Sequence, residues 1–180
     1  HFCLEVLQRE LVNTDWFLTI PLVKRFPGWW VRLRYYHTSS HLGDEYEGRF
    51  DEVEAVNFLR DGFDATVHVE PVRNVGVYGV ATRIYHAHPE GYPHWLLRAG
   101  AELTGSGPEG PSGPFLVVDV QADEPLGWET TLVAQTGVWI RVVEDRPLRL
   151  AFEVLTGPSP LGQFHGCGTT RVGLALLWNP

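Results

Sequence analysis

The chain has 180 residues, 14 Lys and Arg against 22 Asp and Glu, a net charge of −8, and is 44% hydrophobic and 20% charged. Such a chain makes one domain with a sizeable core, which excludes a disordered acidic tail and a basic nucleic-acid binder. With 19 Gly, 13 Pro, 7 Trp, 6 Tyr, 9 Phe and no Met it is a turn-rich chain of strands, and it lacks the roughly 18-residue apolar run of a spanning helix, which leaves a transmembrane barrel open.

The opening His1-Phe2-Cys3 has no Met, charged n-region or small-residue cleavage site, so the expectation is a fragment or mature segment lacking its first strands. Cys3 and Cys167 have no metal-ligand spacing; they pair in an oxidising compartment or both stay free. Phe2 to Leu11 fits a strand or a short helix. From there period-two alternation runs down the chain. Val31, Leu33 and Tyr35 alternate with Arg32, Arg34 and Tyr36; Phe63, Ala65, Val67 and Val69 alternate with Asp64, Thr66, His68 and Glu70. Leu148, Leu150, Phe152 and Val154 alternate with Arg149, Ala151 and Glu153, and Val172, Leu174, Leu176 and Trp178 with Arg171, Gly173 and Ala175. Turn-rich breaks fall at Pro27-Gly28, Pro71 to Asn74, His88 to Pro93, Gly105 to Pro114, Glu124 to Gly127 and Gly157 to Gly168. The count is about nine strands in one domain over residues 1–180, joined by hairpins into an antiparallel up-and-down sheet.

Alternation does not say which face is inside. A soluble barrel hides the apolar face, whereas a membrane barrel turns it to lipid and keeps the polar face in its lumen. The polar face here mixes small residues with both signs of charge, and 13 of the 14 cations are Arg, the residue better suited to multiply bonded, partly buried pairing. The expected fold class is therefore an all-β, up-and-down antiparallel barrel of outer-membrane type. Val31, Leu33, Phe63, Val67, Val118, Val120, Leu150, Phe152, Leu174 and Leu176 are expected to face lipid. Asp119, Glu129, Arg141, Arg149, Glu153 and Arg171 are expected to pair in an occluded lumen. Trp29, Trp30, Trp95, Trp128, Trp139 and Trp178 lie near strand ends, where interfacial girdles form.

Chemistry concentrates in Tyr35-Tyr36-His37-Thr38-Ser39-Ser40-His41-Leu42-Gly43-Asp44-Glu45-Tyr46. Continued alternation puts His37, Ser39 and His41 on the apolar face, with i and i+2 neighbours about 7 Å apart. An imidazole can take the proton of a serine hydroxyl that attacks an ester, and an acidic third group orients the ring. Asp44, Glu45, Glu47, Asp51, Glu52 and Glu54 follow closely. That acidic run is a solvated loop in its simplest reading; calcium suits its oxygens, although the spacing matches no standard calcium loop. His86, His88 and His94 cluster without a fourth ligand that closes a metal template. The plain alternative for His37 and Ser39 is hydrogen bonding to a loop backbone.

The His37-x-Ser39 pair resembles that of outer-membrane phospholipase A and the lipid A deacylases. In those families the third member follows the serine by about a dozen residues, which implies Asp51, with His41, Asp44 and Glu45 as alternatives. Over nearly its whole length the chain also resembles an uncharacterised bacterial family with an outer-membrane-barrel pattern, DUF1207. That likeness is carried by Asp15 to Pro21, Ser39-Ser40-His41-Leu42-Gly43-Asp44-Glu45, Pro114 to Asp119, Trp128, Gln135 to Val138, Gly157 to Phe164 and Gly173 to Leu176. Together these readings imply a barrel that hydrolyses acyl esters of outer-membrane lipids or lipopolysaccharide, without a cofactor beyond calcium and without nucleic acid as a partner. The alternative is a non-catalytic structural, binding or small-solute channel barrel.

Overall fold

The computed structural model describes residues 2–4, 11–42, 58–88, 95–105, 112–143, 146–159 and 167–178. They form ten strands: β1 (Phe2–Leu4), β2 (Leu11–Phe26), β3 (Trp29–Leu42), β4 (Phe58–Val72), β5 (Val75–His88), β6 (Trp95–Thr104), β7 (Ser112–Asp123), β8 (Glu129–Val143), β9 (Arg146–Pro158) and β10 (Gly168–Trp178). All ten lie in one sheet in chain order, so the fold is all-β and up-and-down, and each neighbouring pair runs antiparallel. The strand beyond the nine expected is β1, Phe2–Leu4, which settles as strand the part of the opening segment that is described. Among the described residues β1 and β10 do not pair, so the sheet is not closed. No helix of the described residues is long and apolar enough to cross a membrane, which has no bearing on strands.

The two ends of the sheet differ. At one, Pro27-Gly28 and Arg73-Asn74 make tight turns, with Gly28 at φ 76 and Asn74 at φ 70, the left-handed backbone that two-residue hairpins require. Residues 105–111 and 144–145 belong to the same end, the former longer than its place in the pattern leads one to expect. Residues 43–57, 89–94 and 159–167 connect strands at the other end, along with a 3-10 turn over Glu124–Leu126.

Side chains from distant strands meet across the concave face. Arg60 on β4 donates to Asp123 at the end of β7 (3.1 Å), and Arg149 on β9 donates to Glu102 on β6 (3.0 Å). Strands three apart in a flat sheet lie about 14 Å from each other. These bonds therefore require a sheet curled like the wall of a barrel.

The inside of that curl is polar. Among the described residues, the buried hydrophobic side chains are Phe58, Ile84, Phe115, Trp139, Ala151 and Leu155, against eleven buried polar or charged ones that include Asp64, Asp119, Asp123 and Arg60. The acids are buried because they are paired. Asp64, whose side chain is fully buried, accepts from Arg34 Nε at 2.6 Å and lies 3.5 Å from Arg32, which also donates to Thr66 at 3.0 Å. Asp119 accepts from Arg98 Nε at 2.7 Å and from the Tyr78 hydroxyl, and Gln135 donates to Glu153. Glycines make room for the inward aromatics: the Tyr36 ring lies over Gly62 and the Tyr78 ring over Gly100, its direct partner across the β5–β6 pair.

Apolar residues occupy the convex face. Of the ten residues expected to point outward, nine are exposed, from Val118 at 39% to Leu174 at 82%, and Val31 is half-buried. Of the expected lumen pairs, Asp119, Arg149 and Glu153 are engaged as described. Glu129 is exposed at the first position of β8, beside Asp123, which already holds Arg60. Arg171 is half-buried with no ion pair among the described residues, and the side chain of Arg141 lies outside them. Two tryptophans expected in a girdle face inward instead. Trp139 is buried with Phe115 and Ala151, and Trp30 stacks on His68 with centroids 5.0 Å apart. Cys167 is an exposed free thiol.

Candidate functional site on the convex face

On β3 the outward positions run Val31, Leu33, Tyr35, His37 and Ser39, opposite Val67, Ala65, Phe63, Asp61 and Leu59 of β4. Alternation thus brings an acid and a histidine into direct register on a face that is otherwise apolar. His37 Nδ1 lies 2.8 Å from Asp61 Oδ1, and the Tyr35 hydroxyl donates to the same oxygen at 2.8 Å. The other oxygen, Oδ2, lies 2.9 Å from Nδ1 of His86 on β5. A carboxylate only accepts, so both rings present N–H at Nδ1, and a neutral His37 has its Nε2 lone pair available.

His86 reaches this face through a β-bulge. The β4–β5 register slips between Asp61 and Gly62, which leaves Tyr85 as an extra residue. Ile84 is buried inward, whereas Tyr85 and His86 are both exposed outward. Tyr85 stacks on Phe63 (centroids 5.5 Å), and Phe63 in turn contacts Tyr35 (5.6 Å). This aromatic wall lies on the tight-turn side of the carboxylate and leaves its side chain 13% exposed, with His37 at 31% and His86 at 63%.

Ser39 follows His37 on the same face, half-buried, opposite Leu59 and Trp16. Among the described residues no hydrogen bond joins it to His37. Its neighbour Ser40 points the other way and is fully buried. His41 is exposed at the same end of β3. Asp44, Glu45 and Asp51, and with them the calcium reading of the acidic run, lie outside the described residues, as does His94. His86 is engaged by Asp61, His88 is exposed, and the described residues contain no group of three ligands able to hold a metal ion.

Sequence reasoning placed His37 on the outward face and missed Asp61 as its partner, and with it Tyr35 and His86 as the other donors to that carboxylate. The signal for Asp61 was present. It lies two residues before Phe63, so the alternation assigned to Phe63, Ala65 and Val67 already puts it on the apolar face.

The family model that matches this chain is described as a protein of unknown function, DUF1207, and it spans residues 1–178. No curated protein and no solved structure matches the chain.

Proposed function

We propose that this chain, which belongs to the DUF1207 family, is a β-barrel of the bacterial outer membrane that hydrolyses an acyl ester of a membrane lipid or lipopolysaccharide. Support for the membrane comes from the inverted order of the sheet: ion pairs on the concave side and exposed Leu, Val and Phe on the convex side, the pattern of a wall whose outer solvent is hydrocarbon. Longer connections gather at the end near His37, and outer-membrane barrels place their longer loops outside.

The observation that carries the chemistry is the 2.8 Å contact between His37 Nδ1 and Asp61. With Nδ1–H held by the carboxylate, Nε2 is left as the acceptor of a ring that shares its face of the sheet with Ser39. Ser39 Oγ attacks the ester carbonyl as its proton passes to His37 Nε2; the leaving alcohol departs with that proton, giving an acyl-serine. Water, deprotonated by the same ring, then releases the fatty acid and restores the serine. Asp61 is a positioning residue that fixes the tautomer and stabilises the transient imidazolium. Tyr35 and His86 hold Asp61.

The test is hydrolysis of phospholipid and of lipid A by the folded protein in detergent micelles, with Ser39→Ala and His37→Ala beside the wild type. Fatty acid release by the wild type that both substitutions abolish supports the reading. Absence of release by the wild type on both lipids overturns it.

A second reading rests on the saturation of Asp61 by three donors from β3 and β5. Such a clasp ties three strands together near a rim, as a non-catalytic barrel requires. Under it, His37→Ala lowers thermal stability and no substrate is turned over.

A further inference from the structure

The convex face of β3 to β10 is almost free of charge. At its described outward positions only two side chains are formally ionised at neutral pH, Asp61 and Arg83, and they lie on adjacent strands toward the same end. Asp61 is satisfied by His37, Tyr35 and His86. Arg83 is exposed, and among the described residues its guanidinium meets no carboxylate; it lies over the Trp95 ring at 5.0 Å. Glu124, at the same rim, accepts from the Trp95 backbone N–H at 2.9 Å. Trp95 is the first residue of β6, so the pair sits toward the loop end, at the depth where an aromatic belt meets headgroups.

We propose that Arg83 is the anchoring residue for the phosphate of an anionic lipid headgroup, seated between Trp95 and the His37–Asp61 site. A guanidinium on a lipid-facing wall is strongly disfavoured at the bilayer midplane and costs little at the interface. At headgroup depth the dominant anions are lipid phosphates, and an Arg presents a rigid fork of donors matched to phosphate oxygens. Stacking on Trp95 holds the side chain along the wall and leaves the N–H edge free. Arg83 pairs with Phe63, and Asp61 lies two residues further along β4, about 7 Å. A phosphate at Arg83 therefore leaves the first acyl ester, a few bonds away through a glycerol or sugar, beside His37 and Ser39. The inference deepens the hydrolase reading by naming the substrate class, a phosphate-bearing acylated lipid, while the binding part stands without turnover.

The experiment uses the Ser39→Ala protein in micelles, so that binding is read apart from hydrolysis. Retention of phosphatidic acid and of diacylglycerol through purification is quantified by mass spectrometry, with and without Arg83→Gln. The expected result is a preference for phosphatidic acid of tenfold or more that Arg83→Gln removes and Arg83→Lys partly restores, with thermal stability unchanged. Equal retention of both lipids, or a preference that survives Arg83→Gln, overturns the proposal. Loss of retained phosphatidic acid to millimolar inorganic phosphate also overturns it, since the site would then read free phosphate and not a lipid. If the wild type hydrolyses nothing while the Arg83-dependent preference holds, the hydrolase reading fails and the headgroup site stands.

Discussion

Asp61 and Asp64 stand three residues apart on β4, and their carboxylates lie on opposite sides of the sheet. Asp64 faces inward to Arg34 and Arg32, and Asp61 faces outward to His37, His86 and Tyr35. The same functional group therefore holds the interior together at one position and, on our reading, orients a base at the other.

The two acids should separate stability from activity. Asp64→Ala leaves the half-buried Arg34 and Arg32 without their shared carboxylate, a change that costs about 1–3 kcal/mol. Urea-driven unfolding in vesicles should show that loss. Asp61→Ala should unfold at nearly the wild-type urea concentration and lose hydrolysis by roughly 10²-fold or more.

Adjacent serines offer a second separation. Ser39→Ala removes the outward hydroxyl and should abolish fatty acid release with unchanged unfolding. Ser40→Ala acts on a fully buried side chain and should cost about 1 kcal/mol in stability while hydrolysis continues. If Ser40→Ala were the inactive one of the two, the attacking group would be misassigned.

The convex wall can be tested at Leu174, 82% exposed on β10. Leu174→Arg should destabilise the protein folded in lipid vesicles by about 2–4 kcal/mol. A neutral or favourable effect would show that this face meets water.

Inside the curl, Gly100→Val should clash with the Tyr78 ring, which already occupies the space where a Cβ would stand. The expected cost is about 1–3 kcal/mol. Because Tyr78 and Gly100 are direct partners, Tyr78→Ala should relieve most of the added penalty in a double-mutant cycle.

Much of this arrangement was legible in the sequence, because a two-sided strand writes its faces directly into the order of its residues. Leu33, Phe63, Leu150 and Leu174 all point where alternation put them. The turn signals at Pro27-Gly28 and Asn74 likewise mark real hairpins. Partnership across strands was less legible. That His37 faces Asp61 depends on the register of β3 against β4, which residues 43–57 connect, and no local period encodes it. Trp139 was misread for a related reason: proximity to a strand end says nothing of the side, and its alternation with Val138 and Ile140 turns it inward.

The bulge at Tyr85 carries a consequence of counting. A regular strand surrenders every other residue to the far side, so β5 at the level of Asp61 would ordinarily offer this face a single side chain. The extra residue breaks that parity once and delivers two consecutive ones, an aromatic ring against Phe63 and an imidazole against Asp61. Beyond it, the numbering of faces along β5 is shifted by one, so that Ile84 and Ala87, of opposite parity, both lie inward. A homologue of any length that kept Tyr85 and His86 but lost the irregularity would retain both residues and still leave the carboxylate with only the two donors of β3, Tyr35 and His37.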